Sequence, residues 1–283
     1  MKNIKYLSQF IIIIVLFVIY KILGLKYSTY LSGKIFTFFG PLFRSNQISH
    51  KNLITAFPDL STIEIDQIIK KMWFNYGCIF AEYVFINNIK KSQNIIVENQ
   101  HILDELKRNS NPVIFVSGHF NNFELMAMHI NNSGINLSAI YRPLNNIFLN
   151  PLMEKIRKKY ICEKQIKKGI SGTKEILKNF KNGSSIALMI DQRVSEGIKV
   201  KFFNKEASTT TIPAQFVKKF NAKIVPIYIE RIQLNKFKIK IYDPIGFKDK
   251  DTLSSITKRL NEILEKMIMK NPEQWIWTHN RWK

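Results

Sequence analysis

The sequence predicts an α/β fold: a three-layer sandwich in which helices flank a mixed, mostly parallel central sheet, preceded by an N-terminal hydrophobic anchor helix. Three observations favour this prediction. The 283 residues are 46% hydrophobic, enough for one large buried core. Short β-branched runs alternate with helical periodicity along most of the chain, which is typical of a sheet covered by helices. An apolar segment precedes all of these elements.

The N-terminal segment from Leu7 to Leu25 is apolar except for a few polar residues such as Lys21. As a helix it would reach roughly 28 Å, close to the ~30 Å hydrocarbon thickness of a bilayer. Lysines flank its far end, where a signal peptide would carry small residues for cleavage, so an uncleaved anchor is favoured. We assign residues 1–27 to this anchor and 28–283 to a single domain. The excess of positive charge after the anchor predicts a cytoplasmic domain, and either a spanning or an interfacial helix fits the sequence.

Helices and strands then alternate along the chain. A capping box at Ser61 and Glu64 opens an amphipathic helix, and a helix near 102–108 precedes a buried strand at 113–116. The remaining predicted elements are a helix after residue 122, a strand at 137–141, helices at 148–160 and 173–182, a strand at 185–190, a helix opening at 210–213, strands at 223–229 and 237–242, and a helix at 252–269. The last two strands are close enough in sequence to form a hairpin, so we expect a mixed sheet.

Charge and cysteine content restrict the function classes. The formal net charge of +22 favours anionic partners, although a lysine-rich composition explains part of it. Cys78 and Cys162 lie far apart and outside any C-x-x-C spacing, so neither a metal site nor a disulfide framework is predicted. A membrane-tethered nucleic-acid-binding protein is a remote alternative, because the sequence lacks the helix-turn-helix, zinc-finger and RNP signatures.

The stretch Ser117-Gly-His-Phe-Asn-Asn-Phe-Glu124 is the strongest candidate for a catalytic site. On one continuous helix His119 and Glu124 would point about 140° apart, so they can meet only if His119 lies in a loop. A Glu124 carboxylate that accepts from one imidazole nitrogen would leave the other to take a proton from a hydroxyl. The spacing alone also permits a helix cap at His119 and a solvated first-turn acid at Glu124.

Several blocks resemble the bacterial lipid A biosynthesis acyltransferases, the lauroyl or myristoyl family of the lysophospholipid acyltransferase superfamily. The first is Gly118-His-Phe-Asn-Asn-Phe-Glu124, similar to the family's G-H-F-G-N-W-E. The others are Tyr141-Arg-Pro143, Asp191-Gln192, Phe202-Phe203, Ala207-Ser-Thr209 and the ending Pro272-Glu-Gln-Trp-Ile-Trp-Thr-His279 with Arg281 and Lys283. Asn121 and Asn204 stand where the family usually has glycine, and Phe123 replaces a tryptophan. These departures bear on loop shape and acyl-chain length.

The resemblance implies transfer of a fatty acyl group from a thioester, normally of acyl carrier protein, to a hydroxyl of a phosphorylated glucosamine lipid at the bacterial inner membrane. His119 would be the general base and Glu124 its orienting partner, with no cofactor or metal. A glycerol-based lysophospholipid or another glycolipid is the alternative acceptor.

Three further residues are candidate substrate-binding residues. Arg142 is suited to contact phosphate, since a guanidinium binds phosphate in a bidentate fork. Asp191 either orients a site group or pairs with Arg193, and Asn122 either holds the loop or donates toward the thioester oxygen. The terminal tryptophans Trp275, Trp277 and Trp282 suit either an interfacial belt or core packing. The lysine-rich segment 155–168 suits either carrier-protein docking or a solvated face.

Overall fold

A computed structural model describes residues 2–283 and contains helices on both faces of a mixed sheet. The α-helices are α1 (Lys2–Phe43), α2 (Asn46–Ala56), α3 (Thr62–Glu82), α4 (Ile86–Lys91), α5 (Gln100–Asn109), α6 (Glu124–Asn132), α7 (Leu149–Ile156), α8 (Ile170–Lys181), α9 (Ile212–Phe220) and α10 (Leu253–Lys270). The strands are β1 (Ile95–Glu98), β2 (Ile114–Ser117), β3 (Leu137–Tyr141), β4 (Lys164–Lys167), β5 (Ser185–Met189), β6 (Ile198–Phe202), β7 (Lys205–Thr209), β8 (Ile224–Gln233) and β9 (Lys236–Ile241).

The seven-stranded sheet has the order β1-β9-β8-β2-β5-β3-β4. Strands β8, β2, β5, β3 and β4 run parallel, and β9 pairs antiparallel with β8. The predicted fold class and the predicted hairpin of the strands near 223 and 237 are therefore confirmed. The capping box at Ser61 and Glu64 is also present.

Three stretches of sheet were not predicted. Strands β1 and β4 lie at the two edges of the large sheet, and β6 and β7 form a separate hairpin. Lysine occupies several of their positions, because edge strands and hairpins expose one side to water. Their apolar runs are too short to stand out from the surrounding polar sequence.

The N-terminal helix α1 is longer than predicted and changes direction within its length. Gly24 has non-helical angles (φ 76°, ψ 166°), which only glycine adopts without steric cost, and the helix continues beyond it to Phe43. The part after Gly24 packs closely on α3. Ser32 Oγ donates to the Gly77 carbonyl at 2.6 Å, and a Cβ on Gly77 would lie 2.2 Å from the Ser32 oxygen.

The C-terminal segment packs against the core, which decides between the two interpretations of the terminal tryptophans. Trp275 and Trp277 are buried, and their rings form an edge-on pair with centroids 4.6 Å apart. Arg281 is also buried and donates to the Ser208 carbonyl and to Thr209 Oγ1 at 2.8 and 2.7 Å. The chain end therefore belongs to the structural core.

The contact of α1 with α3 predicts that Gly77→Ala destabilises the protein. The new methyl group would overlap the Ser32 carbonyl, and overpacking of this kind costs about 1–3 kcal/mol. We expect a lower midpoint of thermal unfolding in detergent micelles for this variant. Gly246→Ala is the matched control, since nothing lies within 4 Å of a Cβ at that position. Equal midpoints for the two variants would contradict a close helix contact at Gly77.

Candidate active site

Three of the predicted site residues follow neighbouring parallel strands. His119 follows β2, Asp191 follows β5, and Arg142 follows β3. Strand β5 lies between the other two strands in the sheet. Because parallel strands end at the same edge, all three residues reach the carboxyl edge of the sheet, where α/β folds place their ligand sites.

The Asp191 carboxylate binds His119 twice. Its Oδ1 lies 2.8 Å from His119 Nδ1, and its Oδ2 accepts from the His119 backbone N–H at 2.8 Å. Trp275 Nε1 donates to the same Oδ2 at 2.9 Å. The carboxylate therefore fixes both the ring and the backbone of His119.

These contacts keep Asp191 ionised. Burial raises the pKa of the Asp191 carboxyl, but the charge and hydrogen bonds of His119, with the Trp275 hydrogen bond, outweigh this effect and lower the pKa to about 2.

The contact with Asp191 also sets which nitrogen of His119 is free. A carboxylate that binds Nδ1 selects the tautomer protonated there, which leaves Nε2 as the basic nitrogen. Nε2 of His119 has no hydrogen-bond partner among residues 2–283, and the side chain is 21% exposed. A substrate can therefore reach this nitrogen.

The structure differs from the sequence prediction on the partner of His119. The sequence predicts that Glu124 binds the imidazole, whereas Asp191 makes that hydrogen bond in the structure. Glu124 is the first residue of α6, and its Oε1 accepts from Tyr83 Oη at 2.7 Å and from Arg157 Nε at 2.8 Å. The prediction that His119 lies in a loop ahead of a helix agrees with the structure.

Glu124 and Arg157 form a buried ion pair. Their side chains are 8% and 11% exposed, and Arg157 Nη2 lies 2.6 Å from Glu124 Oε1. Burial lowers the pKa of the Arg157 guanidinium, but the Glu124 charge more than offsets it, so the pKa is raised. Burial and the same carboxylate raise the pKa of the Tyr83 hydroxyl, which stays protonated. Both donors therefore remain available to Glu124.

Asn121 and Asn122 hold the loop that carries His119. Asn121 has a positive φ of 38°, and its backbone N–H donates to the Gln274 carbonyl at 2.8 Å. Asn122 Nδ2 donates to Glu82 Oε2 at 2.9 Å, and Glu82 is paired with Arg231. The Asn122 amide N–H is thus directed at Glu82, which favours the loop-holding interpretation of this residue.

Gly118 allows Asp191 to approach the loop. A Cβ at Gly118 would lie 3.3 Å from Asp191 Oδ2 and 3.0 Å from atoms of Phe120 and Leu264. Each of these three separations is shorter than most contacts that a Cβ makes in proteins. A side chain before His119 would therefore require its neighbours around the carboxylate to shift by a few tenths of an ångström.

His279 lies near Asp191, and Arg142 follows β3 at the same edge of the sheet. Arg142 is exposed, and its guanidinium has no ion pair or hydrogen bond with the described part of the chain. Burial lowers the pKa of His279 to about 4, despite the opposing effect of Asp191, so its ring is neutral at neutral pH. Its Nδ1 is buried without a hydrogen-bond partner in residues 2–283.

Sequence reasoning missed Tyr83, Arg157 and the network of Glu82 with Arg231. Arg157 lies within the lysine-rich segment 155–168, where a single arginine does not stand out. The one available signal was chemical, because arginine is preferred over lysine for buried ion pairs.

The buried pair predicts a specific pattern of stability. Arg157→Met leaves the Glu124 carboxylate buried without its cation and should cost about 3–5 kcal/mol of unfolding free energy. Arg157→Met combined with Glu124→Gln removes the charge as well and should recover much of that loss. Chemical unfolding in detergent micelles measures both variants. A double variant no more stable than the single one would show that the pairing does not hold this site together.

Known proteins resemble this chain along most of its length. The model of the family described as bacterial lipid A biosynthesis acyltransferase matches residues 1–283. The chain is 26% identical to a lipid A biosynthesis acyltransferase of Haemophilus influenzae, over 85% of this chain and 78% of that protein. It is 24% identical to the lipid A biosynthesis lauroyltransferase of Escherichia coli, over 85% of this chain and 79% of the relative. The myristoyltransferase of the same organism is 22% identical, over 80% and 71%. The protein is an acyltransferase and belongs to the bacterial lipid A biosynthesis acyltransferase family.

Proposed function

We propose that this protein transfers a fatty acyl group from an acyl carrier protein thioester to a hydroxyl of a phosphorylated glucosamine lipid, a precursor of lipid A. The observation that carries the proposal is His119 held by Asp191 at 2.8 Å, with Nε2 left open to substrate. The domain would act on the cytoplasmic side of the bacterial inner membrane. Membership of the family supports the reaction class and the pathway.

His119 acts as the general base in this proposal. Nε2 removes the proton of the acceptor hydroxyl as its oxygen attacks the thioester carbonyl carbon. The tetrahedral intermediate then breaks its carbon–sulfur bond, and the leaving thiolate takes the proton from Nε2. Asp191 stabilises the imidazolium between these two transfers, because its carboxylate is ionised and in contact with Nδ1.

Glu124 stays in the proposal as a positioning residue. Its carboxylate fixes the start of α6 through Tyr83 and Arg157, and α6 follows the His119 loop directly. The loop position of His119 therefore depends on Glu124 even though the two side chains do not share a hydrogen bond. A direct catalytic role for Glu124 stays a prediction.

Substrate binding is assigned to the exposed cationic groups near the carboxyl edge. Arg142 follows β3 and has no partner within residues 2–283, so its guanidinium is available to a phosphate of the acceptor. The net charge of +22 favours encounter with an acidic carrier protein.

The general-base role predicts that His119→Ala lowers turnover by about 10²- to 10⁴-fold, the usual contribution of such a group. The assay is acyl transfer from acyl carrier protein to the lipid acceptor in detergent micelles, with thermal unfolding as a check of the fold. His101→Ala is the control, because His101 is exposed on α5. Near-normal turnover of His119→Ala would rule out the mechanism.

The phosphate role predicts that Arg142→Ala raises the KM for a phosphorylated acceptor about tenfold or more, as expected for loss of a charged hydrogen bond. The change in kcat should be small by comparison. Arg108→Ala, which removes an exposed arginine on α5, should leave both constants unchanged. If Arg142→Ala lost the same fraction of its activity on phosphorylated and dephosphorylated acceptors, phosphate binding by Arg142 would be contradicted.

The unmodified protein also tests the acceptor class. Transfer of the acyl group only to a glycerophosphate acceptor would remove the lipid A assignment.

A further inference from the structure

Exposed cations follow the strands on one side of His119 along the carboxyl edge of the sheet. His119 follows β2, and the strand order from there to the edge of the sheet is β2-β5-β3-β4. Arg193 comes shortly after β5, Arg142 follows β3, and Lys168 follows β4. The Lys168 N–H donates to the Tyr141 carbonyl at 2.8 Å, so Lys168 lies directly beside the end of β3. A row of cationic residues therefore leads from His119 to the edge strand.

The row continues into a stripe of lysines on α8. This helix follows β4, so it begins at the same edge of the sheet. Lys174, Lys178 and Lys181 are exposed and stand at positions i, i+4 and i+7, which places them on one face of the helix. No ion pair of these three lysines is found within residues 2–283. Together with Lys168 they form what we call the β4–α8 surface.

This part of the chain has a large excess of positive charge. Between residues 164 and 181 the sequence contains six lysines and one acidic residue, Glu175. Because so few acidic side chains lie between the lysines, their charges are not neutralised locally, and the surface attracts an anionic partner.

The spacing of the strands fits the prosthetic arm of an acyl carrier protein. Neighbouring strands lie ~4.8 Å apart, so the three steps from β2 to β5, to β3 and to β4 cover about 14 Å. The arm connects the thioester sulfur to a phosphodiester through a chain about as long as four extended residues, roughly 15 Å. A thioester held at His119 can therefore have its phosphodiester beside Lys168.

The side chains of the β4–α8 surface favour a soluble acidic partner over a lipid surface. No large apolar side chain among the described residues of 164–181 is exposed. Membrane-binding faces combine lysines with apolar side chains that insert between the lipids, and this surface offers the lysines alone. A protein with a row of acidic side chains is complementary to the stripe on α8, and such complementarity speeds and orients association.

We propose that the β4–α8 surface is the docking site of the acyl carrier protein, and that Lys168 binds the phosphodiester of its prosthetic arm. The stripe of Lys174, Lys178 and Lys181 pairs with acidic side chains of the carrier protein. The arm then runs along the carboxyl edge of the sheet and delivers the thioester to His119. This inference rests on the proposed function, because it takes an acyl carrier protein thioester as the acyl donor.

Kinetics with two donors that carry the same acyl chain test the stripe on α8. We expect Lys174→Glu combined with Lys178→Glu to lower kcat/KM for the acyl carrier protein thioester about tenfold or more, because the reversed charges repel an acidic partner. The kcat/KM for the acyl pantetheine thioester, which lacks the carrier protein, should stay unchanged. Lys107→Glu combined with Lys266→Glu is the matched control, with the same change of net charge at exposed positions of α5 and α10.

The outcomes separate docking from other roles of these lysines. Equal kcat/KM values of the two double variants for the carrier protein thioester would remove the docking site from this surface. An equal loss with the pantetheine thioester would show that the lysines act on the catalytic site instead. Loss of binding to phosphatidylglycerol vesicles, with both donors used as well as before, would assign the surface to the membrane. If the unmodified protein uses no carrier protein thioester at all, the proposed donor fails, and the docking site fails with it.

A donor that ends in the phosphate tests Lys168 separately. We expect Lys168→Met to lower kcat/KM for the acyl phosphopantetheine thioester about tenfold, as expected for loss of a charged hydrogen bond. Lys168→Arg should keep most of the activity, because it retains the cation. The acyl pantetheine thioester, which lacks the phosphate, should react equally well with the unmodified protein and with Lys168→Met. If Lys168→Met lost the same factor with both donors, or with neither, Lys168 would not be the phosphate contact.

Discussion

The buried carboxylate of Asp191 is the constraint on which the site depends. It is 2% exposed and accepts hydrogen bonds from the His119 backbone, the His119 ring and the Trp275 indole. A buried carboxylate is stable only with such donors, so the loop after β2, the end of β5 and the C-terminal segment must come together. The pairing of Phe120 with Trp275 and the hydrogen bond of Asn121 to Gln274 strengthen the same junction. The histidine motif and the C-terminal ending are therefore parts of one structure, although more than 150 residues separate them in the sequence.

The sequence was sufficient for the central elements but not for the order of the strands. β2, β3 and β5 are apolar runs bounded by turn residues, and their existence follows from local pattern. That β5 lies beside β2 follows from tertiary packing, and only this adjacency brings Asp191 to His119. Local spacing instead pointed to Glu124, five residues away. The same limit hid Arg157, whose buried position depends on where the turn after α7 meets α6.

The two asparagines that replace family glycines have a common backbone explanation. Asn121 and Asn204 have φ of 38° and 58°, and asparagine tolerates this left-handed region better than other residues with a side chain. Asn204 lies in the tight turn between β6 and β7, where such angles are required. Both asparagines therefore stand at backbone positions that a glycine would also adopt. Phe123 contacts the site directly, since its ring packs edge-on against His119 with centroids 4.9 Å apart.

The central claim is that Asp191 holds His119 with Nδ1 protonated and Nε2 basic. Nitrogen NMR of isotopically labelled histidine side chains in detergent micelles measures this directly, with the His119 signals assigned by their loss in His119→Gln. The account predicts that the neutral ring carries its proton on Nδ1 and none on Nε2, with a changed tautomer balance in Asp191→Asn but not in Glu124→Gln. A neutral ring with its proton on Nε2 in the unmodified protein, or a tautomer that responds to Glu124→Gln and not to Asp191→Asn, would contradict it.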